Sequence, residues 1–129
     1  MGIYEELGIR PIINANATLT RLGGSRLAPG VAEAMAEAGN CFVDIVALQR
    51  AVGAEIARLT RNEACYVTSG AAAGLTLVTA VCIAGADPEL RERLPFTDGL
   101  RNEVIIHRHT RVGYDFAVRM AGARFVEIG

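Results

Sequence analysis

Four consecutive residues, Thr68-Ser69-Gly70-Ala71, join two hydroxyls, a glycine and a small side chain directly behind the β-prone run Ala64-Cys65-Tyr66-Val67. An apolar helix is expected to open at once, over residues 71–84. The first N–H groups of a helix lack intrahelical partners, and the macrodipole favours negative charge beside them. Small side chains let an anion approach that backbone, and Thr68 and Ser69 can add hydroxyl donors. The chemistry on offer is anion binding, phosphate above all. A strand, a Ser-Gly turn and a helix also serve plain close packing, and these four residues alone do not choose between the two. Neither G-x-x-x-x-G-K-[ST] nor G-x-G-x-x-G after a strand occurs in the chain.

A second group of reactive side chains follows the run Glu103–His107 (EVIIH). His109 can stack on a flat ring or move protons, and Arg111 can pair with a carboxylate or phosphate through its planar fork. An exposed histidine and a solvated arginine are the bland alternatives. Tyr114 and Asp115 read as packing and cap residues of the next helix.

Composition limits what else the chain can do. It has 129 residues, a net charge of −1 and charged residues at 21%, with no basic patch for nucleic acid or membrane. Its 13 basic residues are all arginine, so any chemistry needing a lysine amine must borrow it. Cys41, Cys65 and Cys82 are odd in number and sit in apolar company, which predicts buried free thiols in a reducing cytoplasm. His107 and His109 are too few and too close for an ordinary zinc site, so no metal is expected. The N-terminus MGIYEELGIR carries acids and no long apolar run, unlike a signal peptide. The 71–84 helix is apolar nearly all round, yet falls short of the roughly 20 residues that span a bilayer. It is expected to lie buried within an α/β protein, and no membrane partner is expected.

The elements that must hold these groups follow from local signals. Residues 3–9 suggest a helical turn stopped by Gly8, Arg10-Pro11 an extended path, and Ile12-Ile13 a brief strand. The stretch from Asn14 to Gly24, rich in amides, hydroxyls and glycine, reads as irregular. Pro29 precedes a helix over 30–38 that Gly39-Asn40 stops. Asp44 caps a helix over 45–59, where Ile45, Leu48, Val52, Ile56 and Leu59 form one apolar stripe. A strand over 64–68 and the 71–84 helix, ended by Gly85, come next. Asp87 then caps a short charged helix over 88–94. A strand over 103–107, a helix over 113–121 and a strand over 123–128 complete the chain. Strands alternating with helices predict a parallel α/β sheet, whose ligands gather at the carboxyl ends of the strands. Ser69-Gly70 and the 107–111 segment both lie at such ends. Three strands with uncovered faces suggest the N-terminal piece of a longer protein.

Four segments carry a family resemblance: IINANATLTRLGGSRLAPGVAEAMAEA, CFVDIVALQRAVGAEIARLT, ACYVTSGAAAGLTLVTAVCIAG and EVIIHRHTRVGYDFAVRMAGARFVEIG. Together and in this order they resemble the N-terminal part of the selenocysteine synthase (SelA)-like enzymes. These are pyridoxal-phosphate enzymes of the aspartate-aminotransferase fold (fold type I), and include L-seryl-tRNA(Sec) selenium transferase and D-glucosaminate-6-phosphate ammonia-lyase. The resemblance implies an α/β fold, the first part of a large domain whose mostly parallel sheet is flanked by helices. Residues 1–30 would form an N-terminal arm, and 31–129 a partial cofactor-binding domain continuing past Gly129. It implies pyridoxal 5'-phosphate as cofactor, with Ser69, Gly70 and Ala71 on its phosphate and His109 or Arg111 against its ring. Asn16, Thr18 and Arg21 would lie in an arm reaching the substrate. A homo-oligomer with active sites at subunit interfaces is implied too.

Two departures qualify that transfer. The family's Schiff-base lysine and the aspartate facing the pyridine nitrogen have no counterpart here, so no catalytic residue is expected within these 129 residues, and the chain alone should not turn over. The tRNA-acting members carry an extra N-terminal domain, whereas the arm motif here starts at residue 14, which argues against tRNA as a partner. The expected reaction is elimination of ammonia or a β-substituent from a small amino acid or amino-sugar acid. The rivals are the selenium transferase itself and a non-catalytic phosphate-binding α/β module.

Overall fold

The computed structural model describes residues 2–129 and divides into two compact units, Met1–Val43 and Asp44–Gly129. The first unit holds two helices, α1 (Ile3–Glu6) and α2 (Val31–Ala38), and a single 3-10 turn at Thr20–Leu22. Gly30 adopts a left-handed conformation as the N-cap of α2, directly after Pro29.

The second unit runs α3 (Ile45–Thr60), α4 (Ala71–Ala84), α5 (Pro88–Arg93), β1 (Glu103–His107), α6 (Asp115–Met120) and β2 (Arg124–Ile128). Side chains start two of these helices. The Asp44 carboxylate accepts from the Ala47 N–H at 2.8 Å, and Asp87 accepts from those of Glu89 and Leu90. β1 and β2 pair in parallel, Glu103 opposite Arg124 through His107 opposite Ile128. Connecting them through α6 gives the crossover that parallel strands require. α4 packs on α6 and α5, and the Thr76 hydroxyl donates to the Ala117 carbonyl at 2.8 Å. The closest-packed positions are small, namely Ala57, Ala84, Ala117, Ala121 and Ala123.

A buried polar knot holds the loop ahead of β1. The Thr97 hydroxyl donates to the Gly122 carbonyl and accepts from the Asn102 amide, each at 2.8 Å. Gly122 sits at φ +91°, where a Cβ would overlap the Pro95 carbonyl and the Thr97 methyl. Only glycine fits there, since both the conformation and the space exclude a side chain.

Several expectations are corrected. Residues 64–68 form no strand, because among the described residues no chain segment offers them a ladder. The sheet accordingly has two strands. Ile12-Ile13 forms no strand either, for the same reason. α4 is not enclosed: only Thr79 and Ala84 are buried, and Val78 and Val81 keep more than half their surface, at 54% and 56%. The stripe along α3 is likewise mostly open, and the buried residues are Gly53 and Ala57. At Gly53 the neighbour is backbone, the carbonyl of Cys65, which leaves no room for a Cβ. The cysteines are free, but Cys41 and Cys82 are exposed and Cys65 is half-buried, since apolar sequence neighbours cover a thiol only when a packed element lies over it. The last helix is shorter than expected, beginning at Asp115.

Candidate functional site

The Ser69-Gly70 turn joins the 64–68 segment to α4. Gly70 adopts φ 153°, ψ 174°, a region essentially restricted to glycine. A Cβ at Gly70 would meet no other atom within 4 Å, so the requirement lies in the backbone and not in space. The Thr68 hydroxyl donates to the Gly70 carbonyl at 3.0 Å and closes the turn. No side chain caps α4. Gly74 donates to the Gly70 carbonyl, whereas the amides of residues 71–73 find no carbonyl partner among the described residues. Ser69 is exposed beside them. Three free amides, a serine hydroxyl and the positive end of a 14-residue helix suit a phosphate group, and the turn itself carries no carboxylate to repel one. A cavity of about 350 Å³ adjoins it, walled by Ser69 and Gly70, by Ala72, Ala73 and Thr76 along α4, and by Phe116 and Met120 of α6.

At the carboxyl end of β1 the chain makes a 3-10 turn over Arg108–Thr110, and the Thr110 hydroxyl donates to the His107 carbonyl at 2.9 Å. His109 is exposed, its ring centroid 5.4 Å from that of His107 with the planes tilted by 36°. Arg111 is engaged on several sides. Its Nε donates to Asp115 and its Nη1 to Glu127, and its guanidinium lies 4.7 Å from the centre of the Phe125 ring. The Arg111 guanidinium holds the Asp115 carboxyl below its ordinary range, against the opposing effect of burial, and Asp115 in turn raises Arg111. Arg108 adds a longer ion pair, 3.7 Å from Glu127.

The structure thus brings Ser69, Gly70 and Ala71 together at one helix terminus and gathers His109 and Arg111 at one strand end. No hydrogen bond or ion pair joins the two groups among the described residues. Sequence reasoning missed Asp115 and Glu127 as partners of Arg111. Arg111 is extended and precedes α6, so no helical spacing rule marked its pair with Asp115, and Glu127 comes from a neighbouring strand.

In the first unit Asn16, Thr18 and Arg21 lie in the 14–24 loop, all exposed. Asn14, the first residue of that stretch, organises the loop. Its Nδ2 donates to the Ala17 carbonyl at 2.8 Å, and its Oδ1 accepts from the Asn16 N–H at 2.8 Å. This Asx-type turn accompanies a positive φ of 44° at Ala17.

A larger groove, about 590 Å³, runs between α3 and residues 65–67. Its lining is mostly aliphatic and aromatic, without paired groups placed for chemistry. Among the described residues there is no cluster of three or more metal-ligating side chains, and no helix is long and apolar enough to cross a membrane.

No family model matches the chain. D-glucosaminate-6-phosphate ammonia lyase of Salmonella typhimurium is 38% identical to it over 131 residues, covering 98% of the chain and 36% of the lyase. 5'-C-glycyluridine monooxygenase-decarboxylase of a Streptomyces species is also 38% identical, covering 98% of the chain and 33% of that enzyme. A solved structure of D-glucosaminate-6-phosphate ammonia-lyase superposes with a TM-score of 0.94 at 38% identity, over 100% of the chain and 36% of the lyase. The chain therefore spans about a third of the length of these relatives and shares the local α/β fold of the lyase. The chain is a homologue of D-glucosaminate-6-phosphate ammonia lyase, in keeping with the family resemblance that its four segments carry.

Proposed function

We propose that this chain supplies the phosphate-holding part of a pyridoxal-phosphate-dependent lyase or transferase of fold type I, acting on an amino acid or amino-sugar acid. The observation that carries the reading is the uncapped start of α4. Gly70 takes a conformation only glycine tolerates, and three amides stay free, in a chain homologous to an ammonia lyase. The names of both relatives contain an amino-acid unit, the amino-sugar acid of glucosaminate and the glycyl group of glycyluridine. When bound, pyridoxal phosphate supplies an electron sink for breaking bonds at the Cα of such a unit. The amides of residues 71–73 and the Ser69 hydroxyl would hold its phosphate, and the exposed His109 imidazole is the group free to lie against its ring. Arg111, held by two carboxylates, is the poorer candidate for that contact. Asn16, Thr18 and Arg21 are the arm residues assigned to substrate.

The chain contains no lysine, so the amine that carries the cofactor covalently must come from outside these 129 residues. Ammonia elimination from a small amino-sugar acid is the preferred reaction, in a homo-oligomeric cytoplasmic enzyme without a tRNA partner. The test uses the full-length protein with added pyridoxal phosphate. A visible cofactor band and a phosphopyridoxyl group on lysine after borohydride treatment are expected, with ammonia released from D-glucosaminate-6-phosphate. Absence of both band and lysine adduct would overturn the proposal.

A further inference from the structure

Arg111 stands directly behind the Arg108–Thr110 turn and connects three elements. Its Nε reaches Asp115, the first residue of α6, and its Nη1 reaches Glu127 on β2. Phe125, also on β2, lies under the guanidinium plane at 4.7 Å. The Asp115 side chain retains only 11% of its surface and also accepts from the Val112 N–H at 3.4 Å. Two carboxylates therefore face one guanidinium, with Arg108 beside Glu127 and Arg119 acting on Asp115 as further cations. The Arg111 guanidinium is already engaged by both carboxylates, which makes it a poor partner for a phosphate or a substrate carboxylate. It does fix where the chain leaves β1. Ligands of parallel α/β sheets gather at that end of the strands, and the one exposed imidazole of the turn, His109, is held there beside His107.

We propose that Arg111 is a positioning residue, which through Asp115 and Glu127 fixes the 108–110 turn and so presents the His109 imidazole at the carboxyl end of β1. The presentation of His109 stands on geometry alone, while its use against a cofactor ring rests on the function proposed above.

Two measurements separate those layers. The chain has two histidines, so its imidazole proton spectrum is simple. In the cofactor-free chain, a His107–His109 cross-peak is expected and should vanish, with His109 shifted, in both Arg111→Met and Glu127→Gln. Unchanged His109 signals in the two variants would overturn the proposal. In the full-length protein loaded with pyridoxal phosphate, both variants should weaken cofactor binding by about tenfold, as loss of groups that orient a ligand-holding side chain does. Arg111→Lys should fail to restore it, because an ammonium cannot reach both carboxylates in one plane. Weakening in Arg111→Met with full binding in Glu127→Gln would mean that Arg111 touches the cofactor itself, and the positioning role would be wrong. Should Arg111→Met not fold, the more exposed Glu127→Gln decides by the same signals. A wild-type protein without any cofactor band would remove the proposed function and leave the imidazole measurement to judge the positioning alone.

Discussion

Gly53 of α3 passes so close to the carbonyl of Cys65 that a Cβ built on it would overlap the oxygen. Glycine inside a helix costs about 1 kcal/mol relative to alanine, so this position gives up helix propensity for a close approach of backbone to backbone. The approach holds the 64–68 segment against α3, where Gln49 also donates to the Val67 carbonyl at 2.6 Å. That segment leads directly into the Ser69-Gly70 turn.

Replacing Gly53 by alanine should therefore destabilise the second unit, although alanine favours helix. The overlap is with main chain, which cannot swing aside, and a net loss of roughly 1–3 kcal/mol is expected for such overpacking. Urea denaturation measures it. A variant more stable than the parent would show that the 64–68 segment yields without cost.

Gly70→Ala tests the phosphate turn. Placing a side chain at φ 153°, ψ 174° should cost about 1–3 kcal/mol of backbone strain, with no packing term because the space around Gly70 is open. The same variant should bind pyridoxal phosphate more weakly in the full-length protein, by equilibrium dialysis. Unaltered stability together with unaltered binding would count against a special role for this glycine.

Asp115 gives a pH dependence of defined sign. Its carboxyl is held below the ordinary carboxylate range, chiefly by the Arg111 hydrogen bond. Its stabilising contribution is therefore fully present above the unfolded value of about 3.9 and fades as pH falls through the lower folded value. Asp115→Asn should lower the thermal midpoint at neutral pH and flatten its decline on acidification, as followed by circular dichroism. An acid limb as steep as that of the parent would show that other carboxylates dominate it.

Asn14→Ala addresses the first unit. Its side chain makes two 2.8 Å bonds that shape the loop ahead of Arg21, each worth about 1 kcal/mol net. Trypsin should cut after Arg21 faster in the variant. An equal cutting rate would mean that the loop keeps its shape without Asn14.

What the sequence made legible was mainly what depends on near neighbours. Asp44, Asp87 and Gly85 mark helix ends through interactions within a few residues, and they stand where expected. β1 was legible to the residue because its β-branched run Val104-Ile105-Ile106 is bounded by polar residues. What failed depends on distant partners. Residues 64–68 have the composition of a strand but no ladder, and Ile45, Leu48 and Val52 have the spacing of a buried face but nothing over them. The phosphate turn was visible as residue types, and the structure added the glycine-only conformation. The engagement of Arg111 was not visible, because Glu127 lies 16 residues away and meets it only after β2 has paired with β1.

The pairing of those two strands carries a further consequence. Glu103 and Arg124 stand opposite each other at one end of the ladder and form a 2.7 Å ion pair, while Glu127 near the other end is claimed by Arg108 and Arg111. A slip of one residue would turn every side chain of β2 to the opposite face and would misalign the charges at both ends together. Each exposed pair contributes only about 0.2–1 kcal/mol, but the two act at opposite ends against the same displacement. The short ladder thus proofreads its own alignment, admitting a single register and rejecting its nearest neighbours on either side.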